Sequence, residues 1–375
     1  MKLPLLDYTS ALFKNTDFDN VLLIAVQHIL DSNYSMFEYL FDMGLKPQNT
    51  FLLGKCYSTN KETIAKFRKK GVSVSEGSLK FDSHLPYDSQ FELIVKDFLK
   101  HIQEKVNFND YEKILLVDDG GYLVNFGNSF FKSFTNIVAI EQTSSGYNKL
   151  KNERIHFPVI NVARSNAKLV YESPFIADLI VKKLSSKLKE LQLNPKSCLI
   201  IGAGSIGKEL FNLLKNKFET HIYDVQQHIS DFGKTELANI ISDFDLVIGA
   251  SGEEITKDKI YSKLKKGAIL VSASSSDREF NAVNLRKFAP KIKDCHKEIF
   301  VNDIWLLNCG FPLNFDGNKN SASPEKIQLT RALMFSAMCL AMEKEYQKDF
   351  IELEPKYQKL IVEKFNKIER APKNK

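Results

Sequence analysis

Residues 199–207 read Leu199-Ile200-Ile201-Gly202-Ala203-Gly204-Ser205-Ile206-Gly207, and the helical pattern Lys208-Glu-Leu-Phe-Asn-Leu-Leu follows at once. A run of β-formers running into Gly-x-Gly-x-x-Gly and then a helix is the layout of a dinucleotide-binding turn. Gly202 permits the tight turn, Gly204 lets a pyrophosphate approach the backbone, and Gly207 lets helix and strand pack closely. Ser205 and Ile206 open the helix, whose positive end faces the phosphates. A second run, Thr220-His-Ile-Tyr-Asp224, ends on a carboxylate 22 residues after Gly202. Asp224 there would accept hydrogen bonds from an adenosine ribose and repel a 2′-phosphate, so the pattern predicts NAD rather than NADP.

Nearly 200 residues precede this turn, and composition leaves room for a second core. The chain has 375 residues, 43% apolar and 26% charged, which is ordinary globular composition. Its net charge of +6 is spread in short Lys pairs without a basic stripe, so nucleic acid is not indicated as a partner. Five scattered cysteines (Cys56, Cys198, Cys295, Cys309, Cys339) contain no Cys-x-x-Cys pair. That sparse, odd set predicts reduced thiols in a cytoplasmic protein. His and Cys never fall at ligand spacing, so no metal is expected. With acids at Asp7 and Asp17 and no long apolar stretch, neither a signal peptide nor a membrane partner is expected.

Working outward, short apolar runs at Val21–Val26, Thr50–Leu53, Lys113–Val117, Ile137–Ile140 and Val159–Val162 alternate with helical stretches. Those stretches, Met36–Met43, Lys61–Lys70 and Phe91–Val106, repeat apolar residues at three-and-four spacing. A long amphipathic stretch over Pro174–Leu193 leads into the glycine turn, and strand candidates recur at 245–251, 268–272 and 304–308. The rhythm predicts an α/β protein of two Rossmann-like doubly wound parallel-sheet domains. Residues 1–192 read as a substrate domain and 193–323 as the NAD domain. Residues 324–375 read as a helical segment whose C-terminal helix, Pro324–Tyr346, packs back on the first domain.

The motifs before the glycine turn fall in a distinctive order. His28 opens His-Ile-Leu-Asp-Ser-Asn-Tyr-Ser-Met-Phe-Glu-Tyr-Leu-Phe-Asp-Met-Gly44. Cys56-Tyr-Ser-Thr-Asn-Lys61, Leu116-Val-Asp-Asp-Gly-Gly121, Glu141-Gln-Thr-Ser-Ser-Gly146 and Ile160-Asn-Val-Ala-Arg-Ser-Asn-Ala-Lys168 follow, and Leu-Leu-Asn308-Cys-Gly310 comes after the turn. Over roughly residues 20–310 this set resembles the S-adenosylhomocysteine hydrolase family. The resemblance implies bound NAD that oxidises a ribose 3′-hydroxyl of a nucleoside thioether, followed by elimination, hydration and return of the hydride. It implies a small nucleoside-like substrate and leaves a homo-oligomer open.

By position, the resemblance makes Lys168 and Glu172 the pair at the 3′-hydroxyl, with Glu172 replacing the family's Asp. Asp119 becomes a ribose-facing acid and His28 a proton shuttle. Thr143, Ser144 and Ser145 match the hydroxyl trio beside the nicotinamide, and Asn308 matches the Asn that binds its carboxamide. Each residue also has a plainer reading. His28 after an apolar run is often structural, Asp118-Asp119-Gly-Gly is a strand-ending turn, Lys168 and Glu172 are a surface i,i+4 pair, and Thr143 is a helix cap.

The chain departs from the family pattern at several points. Ala163 and Ser173 stand where the family has Asn, Gln142 replaces an acid, and Ser275 holds the catalytic His position. Past Gly310 the Gly-His-Pro segment is missing, no histidine follows His296, and the C-terminal Lys and Tyr have no match. Losing two imidazoles removes the groups best able to move protons near neutral pH, and serine needs a base of its own. Three functions therefore compete. The first, which the retained Lys168, Glu172, Asp119 and His28 favour, is NAD-dependent oxidation of a ribose-like hydroxyl. The others are a non-catalytic NAD- or nucleoside-binding relative and a genuine hydrolase.

Overall fold

The computed structural model describes residues 3–255, 260–347 and 349–370. The chain begins with α1 (Pro4–Leu12) and then alternates: β1 (Val21–Val26), α2 (Asp31–Asp42), β2 (Thr50–Leu53), α3 (Lys61–Lys70), β3 (Ser73–Val74) and α4 (Tyr87–Lys105). It continues through β4 (Lys113–Asp118), α5 (Tyr122–Phe130), β5 (Ile137–Glu141), α6 (Ser144–Leu150), β6 (Val159–Asn161) and α7 (Asn166–Glu190). After these come β7 (Ser197–Ile201), α8 (Ser205–Leu214), β8 (Glu219–Tyr223), β9 (Leu246–Gly249), β10 (Ile269–Ser272) and α9 (Ala282–Arg286). The last elements are β11 (Ile299–Val301), β12 (Ile304–Leu306), α10 (Pro324–Glu343), β13 (Phe350–Glu352) and α11 (Pro355–Arg370).

Two compact units result, one of Met1–Lys80, Glu92–Glu172 and Asn318–Lys375, the other of Phe81–Phe91 and Ser173–Gly317. The end of the long helical stretch suggested a border after residue 192, whereas compactness puts it at 172/173, inside α7. No linker marks that point because the helix runs straight through it. The same helix begins eight residues earlier than its apolar stripe suggested and carries Pro174 internally. Pro174 read as a helix start, since proline favours the first turn, yet it lies in the interior of α7, where it has no N–H for the Val170 carbonyl and its ring crowds that carbonyl.

Unit 1 is built on a sheet of order β13-β6-β5-β4-β1-β2-β3, every neighbour pair parallel. Val21–Val26 is buried at every position, as a strand covered on both faces must be. The order reverses between β1 and β4, so the carboxyl ends of these strands border a crevice. Helix α10 is buried almost all round and packs against α1, α2, β4 and β5. Its weak apolar periodicity follows from that burial. The C-terminal segment gives more than helix, because β13 adds a parallel edge strand beside β6.

Unit 2 carries the order β11-β12-β10-β9-β7-β8, parallel except for the edge pair β11/β12. Here the reversal lies between β7 and β9. Helices α7 and α8 contribute Ile180, Leu184, Leu210 and Leu214 to its core. No helix of the described residues is long and apolar enough to cross a membrane.

Candidate functional site

In unit 1, register places the strand ends level, with Val26 opposite Leu53 and Asp118 opposite Glu141. The residues that follow therefore converge: His28 after β1, Lys55 after β2, Asp119 after β4 and Gln142 after β5. Asp119, 2% exposed, is their hub. Lys55 Nζ donates to its Oδ1, Gln142 Nε2 donates to its Oδ2, and His28 Nε2 lies 3.0 Å from Oδ2. Burial would raise the Asp119 pKa, but His28 and Lys55 hold it well below the carboxylate range. Burial likewise works against the Lys55 charge, and Asp119 more than restores it. Gly120, at φ +105°, keeps the space clear, since a Cβ there would sit 3.2 Å from Lys55 Nζ.

The His28 ring is fixed by the same logic. Burial lowers its pKa, Asp119 draws it back up, and Lys55 and Arg331 push it down again, with a lowered value as the outcome. The ring is neutral at pH 7. An ionised Asp119 only accepts, so Nε2 carries the proton and the bare Nδ1, 2.6 Å from Ser58 Oγ, accepts the serine O–H. His28 is thus an oriented neutral imidazole. Lys55 was not anticipated, although it lies two residues after the predicted strand Thr50–Leu53 and immediately before the Cys56–Lys61 motif.

Beside the hub lie two more buried carboxyls. Asp118 Oδ2 accepts the Val124 N–H at 2.8 Å. Glu141 accepts the N–H groups of Gly120, Gly121 and Thr143 and the Thr143 hydroxyl, at 3.2, 2.9, 2.7 and 2.7 Å. Burial, then the neighbouring Asp118, pushes Glu141 up to about 8 against the bonds from Thr143. Burial also raises Asp118 to about 6, against its bond from Val124.

The raised Glu141 pKa has a measurable consequence. Folded Glu141 keeps its proton up to about 8, whereas the unfolded chain releases it near 4.5. Its contribution is full below 4.5 and is lost as pH rises through the folded value. The Asp118 share is spent by about 6, and His28, depressed from 6.5, opposes only below that pH. From pH 6.5 towards 8 Glu141 should therefore lower the unfolding free energy by about 1.4 kcal/mol per pH unit, the slope easing as pH nears 8, and His296, raised from 6.5, adds to the fall. Urea melts across this window should show the slope, and Glu141→Gln should flatten it; an equal slope in both proteins would refute the assignment.

Thr143 caps α6, accepting the Gly146 N–H at 2.9 Å while donating to Glu141. Its hydroxyl is committed, as the plainer reading had it; Ser144 is exposed and Ser145 half-buried on the first turn of α6. Lys168 and Glu172 do pair across one turn of α7 at 2.5 Å, with side chains only 13% and 18% exposed. The reading as a surface pair is therefore corrected. Thr330 of α10 donates to Glu172 at 2.8 Å, and the buried Arg331 follows it.

Unit 2 presents the glycine turn as its residues dictated. Gly202 adopts φ +107°, and a Cβ there would lie 2.7 Å from the Ala250 and Ser251 backbone, at the ends of β7 and β9. A Cβ on Gly207 would drive into the Gly202 carbonyl oxygen. Among the described residues nothing beyond its chain neighbours comes within 4 Å of a Cβ on Gly204, and no side chain caps α8 behind it. That open, uncapped helix start, with Ser205 and Ile206 on its first turn, fits an anionic pyrophosphate. Asp224 sits at the end of β8 and accepts the N–H groups of Ala203 at 2.7 Å and Gln226 at 2.8 Å. It buttresses the turn with its carboxylate at the strand end.

Asn308 is placed differently from a ligand-facing amide. It takes a left-handed conformation (φ 52°), and its Nδ2 donates to the carbonyls of Pro312 and Phe315 at 2.9 Å each. Its Oδ1 meets His296 Nδ1 at 3.1 Å, so the side chain organises the 311–315 loop. The buried Glu279 was not anticipated. It accepts the N–H groups of Ser251 and Gly252 at 2.7 and 3.0 Å and the Ser272 hydroxyl at 2.9 Å, holding the loop after β9. Ser275 is half-buried close by in sequence.

Two doubly wound units, one with a buried polar hub at its switch point and one with a glycine turn at its own, define an α/β protein of Rossmann-type architecture. The chain belongs to the family of the uncharacterized protein Rv0104 of Mycobacterium tuberculosis (strain ATCC 25618 / H37Rv). It is 35% identical to that relative over 343 residues, covering 90% of this chain and 67% of the relative. The uncharacterized protein MT0113 of strain CDC 1551 / Oshkosh gives the same figures. No family model matches the sequence. Among solved structures, a dipicolinate synthase of Bacillus halodurans is similar at a TM-score of 0.42 and 10% identity, over 88% of this chain and 99% of that one. NAD+-bound 3-phosphoglycerate dehydrogenase of Entamoeba histolytica gives 0.40 and 10%, over 87% and 100%.

Proposed function

We propose that unit 2 binds NAD and that unit 1 binds a small, nucleoside-like polyol whose secondary hydroxyl is oxidised. The observation that carries this reading is Gly204: open space above its α-carbon, at an uncapped helix N-terminus, beside an acid-tipped second strand. Bound NAD supplies a hydride acceptor. The chain's own residues supply the rest. The Lys168–Glu172 pair would take the hydroxyl proton, the ammonium steadying the developing alkoxide. Neutral His28, held by Asp119 and Ser58, would orient a neighbouring hydroxyl. The elimination and hydration of the family it resembles are left out of the proposal, because Ser275 and Gln142 carry no base or acid in their stead.

Gly204→Ala is the direct test. Its backbone (φ −67°) suits any residue and a methyl meets nothing, so the melting temperature should not move. NAD affinity should fall at least about tenfold, or ~1.4 kcal/mol, because the methyl occupies the pyrophosphate's approach. Titration calorimetry with NAD reads this, and NADH absorbance with adenosine and its thioethers reads turnover. Failure of the unaltered protein to bind NAD, or equal binding by Gly204→Ala, would sink the reading.

A further inference from the structure

Two lysines of the unit 1 hub each have a carboxylate partner. Lys55 pairs with Asp119 and Lys168 with Glu172. Arg331, on α10 and 2% exposed, has no acidic partner among the described residues. Its Nε donates to Ser32 Oγ at 3.3 Å, and its two terminal nitrogens have no hydrogen-bond partner among those residues. It is nonetheless part of the hub. Its charge pushes down the pKa of His28, its own is drawn up by Glu172 and then Asp119, and its chain neighbour Thr330 bonds Glu172.

A buried guanidinium left without a counter-ion is costly and stays charged at neutral pH. Burial brings its pKa down only to about 10. Four buried polar atoms at this end of the sheet lack partners among the described residues: Gln27 Nε2 after β1, Asn33 Oδ1 on the first turn of α2, Asp118 Oδ1 at the end of β4, and Gln142 Oε1 after β5. Asn33 adjoins Ser32, the residue that Arg331 touches, and Gln142 is bound to Asp119. Unsatisfied groups beside a guanidinium that has one hydrogen bond and no ion-pair contact mark a place where a ligand completes the bonding.

We propose that Arg331 is the anchor of an oxyanion subsite in unit 1, so that the substrate carries a carboxylate or phosphate group. The planar fork of the guanidinium suits either group bidentately, and a neutral polyol would leave it unbalanced. The inference rests on the reading of unit 1 as the substrate unit and narrows the substrate to an anionic polyol.

The test uses the full chain, with malonate and inorganic phosphate as separate probes at constant ionic strength, followed by calorimetry. The unaltered protein should bind at least one of them saturably, and the arm that binds names the oxyanion. Arg331→Met and Arg331→Gln should each weaken that binding at least about tenfold. The subsite is overturned if neither probe binds the unaltered protein, or if both variants bind as it does. NAD affinity is measured on the same samples. Anion binding without NAD binding supports the subsite while the oxidoreductase reading falls. NAD-dependent turnover of adenosine without binding of either anion overturns the subsite alone.

Discussion

Arg286→Ala should cost the second unit about 3–5 kcal/mol of stability, the expected penalty for breaking a buried ion pair from one side. Arg286 is fully buried. Its Nη2 bonds Asp277 Oδ2 at 2.5 Å, its Nε bonds the Ser83 carbonyl at 2.7 Å, and its Nη1 bonds the Cys309 carbonyl at 2.8 Å. The rings of Phe81 and Phe311 lie 5.3 and 5.8 Å from its guanidinium carbon. One side chain thus ties the Phe81–Phe91 segment to the sheet that carries the glycine turn. Removing it strands a carboxylate that is 4% exposed and leaves three carbonyls, of Ser83, Leu85 and Cys309, without that donor. The chain's single tryptophan, Trp305 on β12, packs on Phe300 in the same unit and reports its unfolding. Urea unfolding followed by Trp305 fluorescence should show the midpoint falling steeply. A loss under about 1 kcal/mol would show that the pair is not what holds the segment. Arg286→Met combined with Asp277→Leu should recover much of the loss, because no charge is then buried alone.

Asp119→Asn should lower any turnover by about 10²–10⁴-fold, the range for disabling a positioned acid–base group. The carboxylate holds Lys55, Gln142 and His28 together, and an amide cannot accept from all three. A second readout separates this from simple misfolding. Asp119 raises the His28 pKa by its charge and its hydrogen bond, so its loss should depress that pKa further, as NMR titration of the imidazole would record. An unchanged or increased His28 pKa would contradict the hub. The pH profile of stability should change as well. A depressed carboxylate contributes stability above its unfolded pKa, near 3.8, that disappears as pH falls through the folded value. The Asn variant should lack this part of the acid transition.

Much of this architecture was legible because it is local. Val21–Val26 and Lys113–Val117 are apolar runs that only a doubly covered strand explains, and Gly202 and Gly207 occur where a turn and a helix contact each require them. Register was less legible. Short strands such as Ser73–Val74 and Phe350–Glu352 have no pattern of their own, and they exist because longer neighbours offer them an edge. The α7 border between units was hidden because a continuous helix leaves no break in composition.

The candidate sites divide in the same way. His28, Asp119, Lys168, Glu172 and the glycine turn could be named from motif order and spacing, since each lies next to the strand or helix that presents it. Lys55, Glu279 and Arg331 could not, for a lysine, a glutamate or an arginine in a sequence is ordinarily a solvated charge. Asn308 shows the reverse, a motif residue whose amide turns out to serve its own loop. The alternation of elements, the glycine turn and the acid at the end of β8 follow from residue order alone. Which charges are buried, which carboxylate answers which cation, and the lack of one for Arg331 emerge only once the chain is folded. The physical reason is that dielectric surroundings and pairing belong to the assembled strand ends of a parallel sheet, whose members come from residues far apart in the chain.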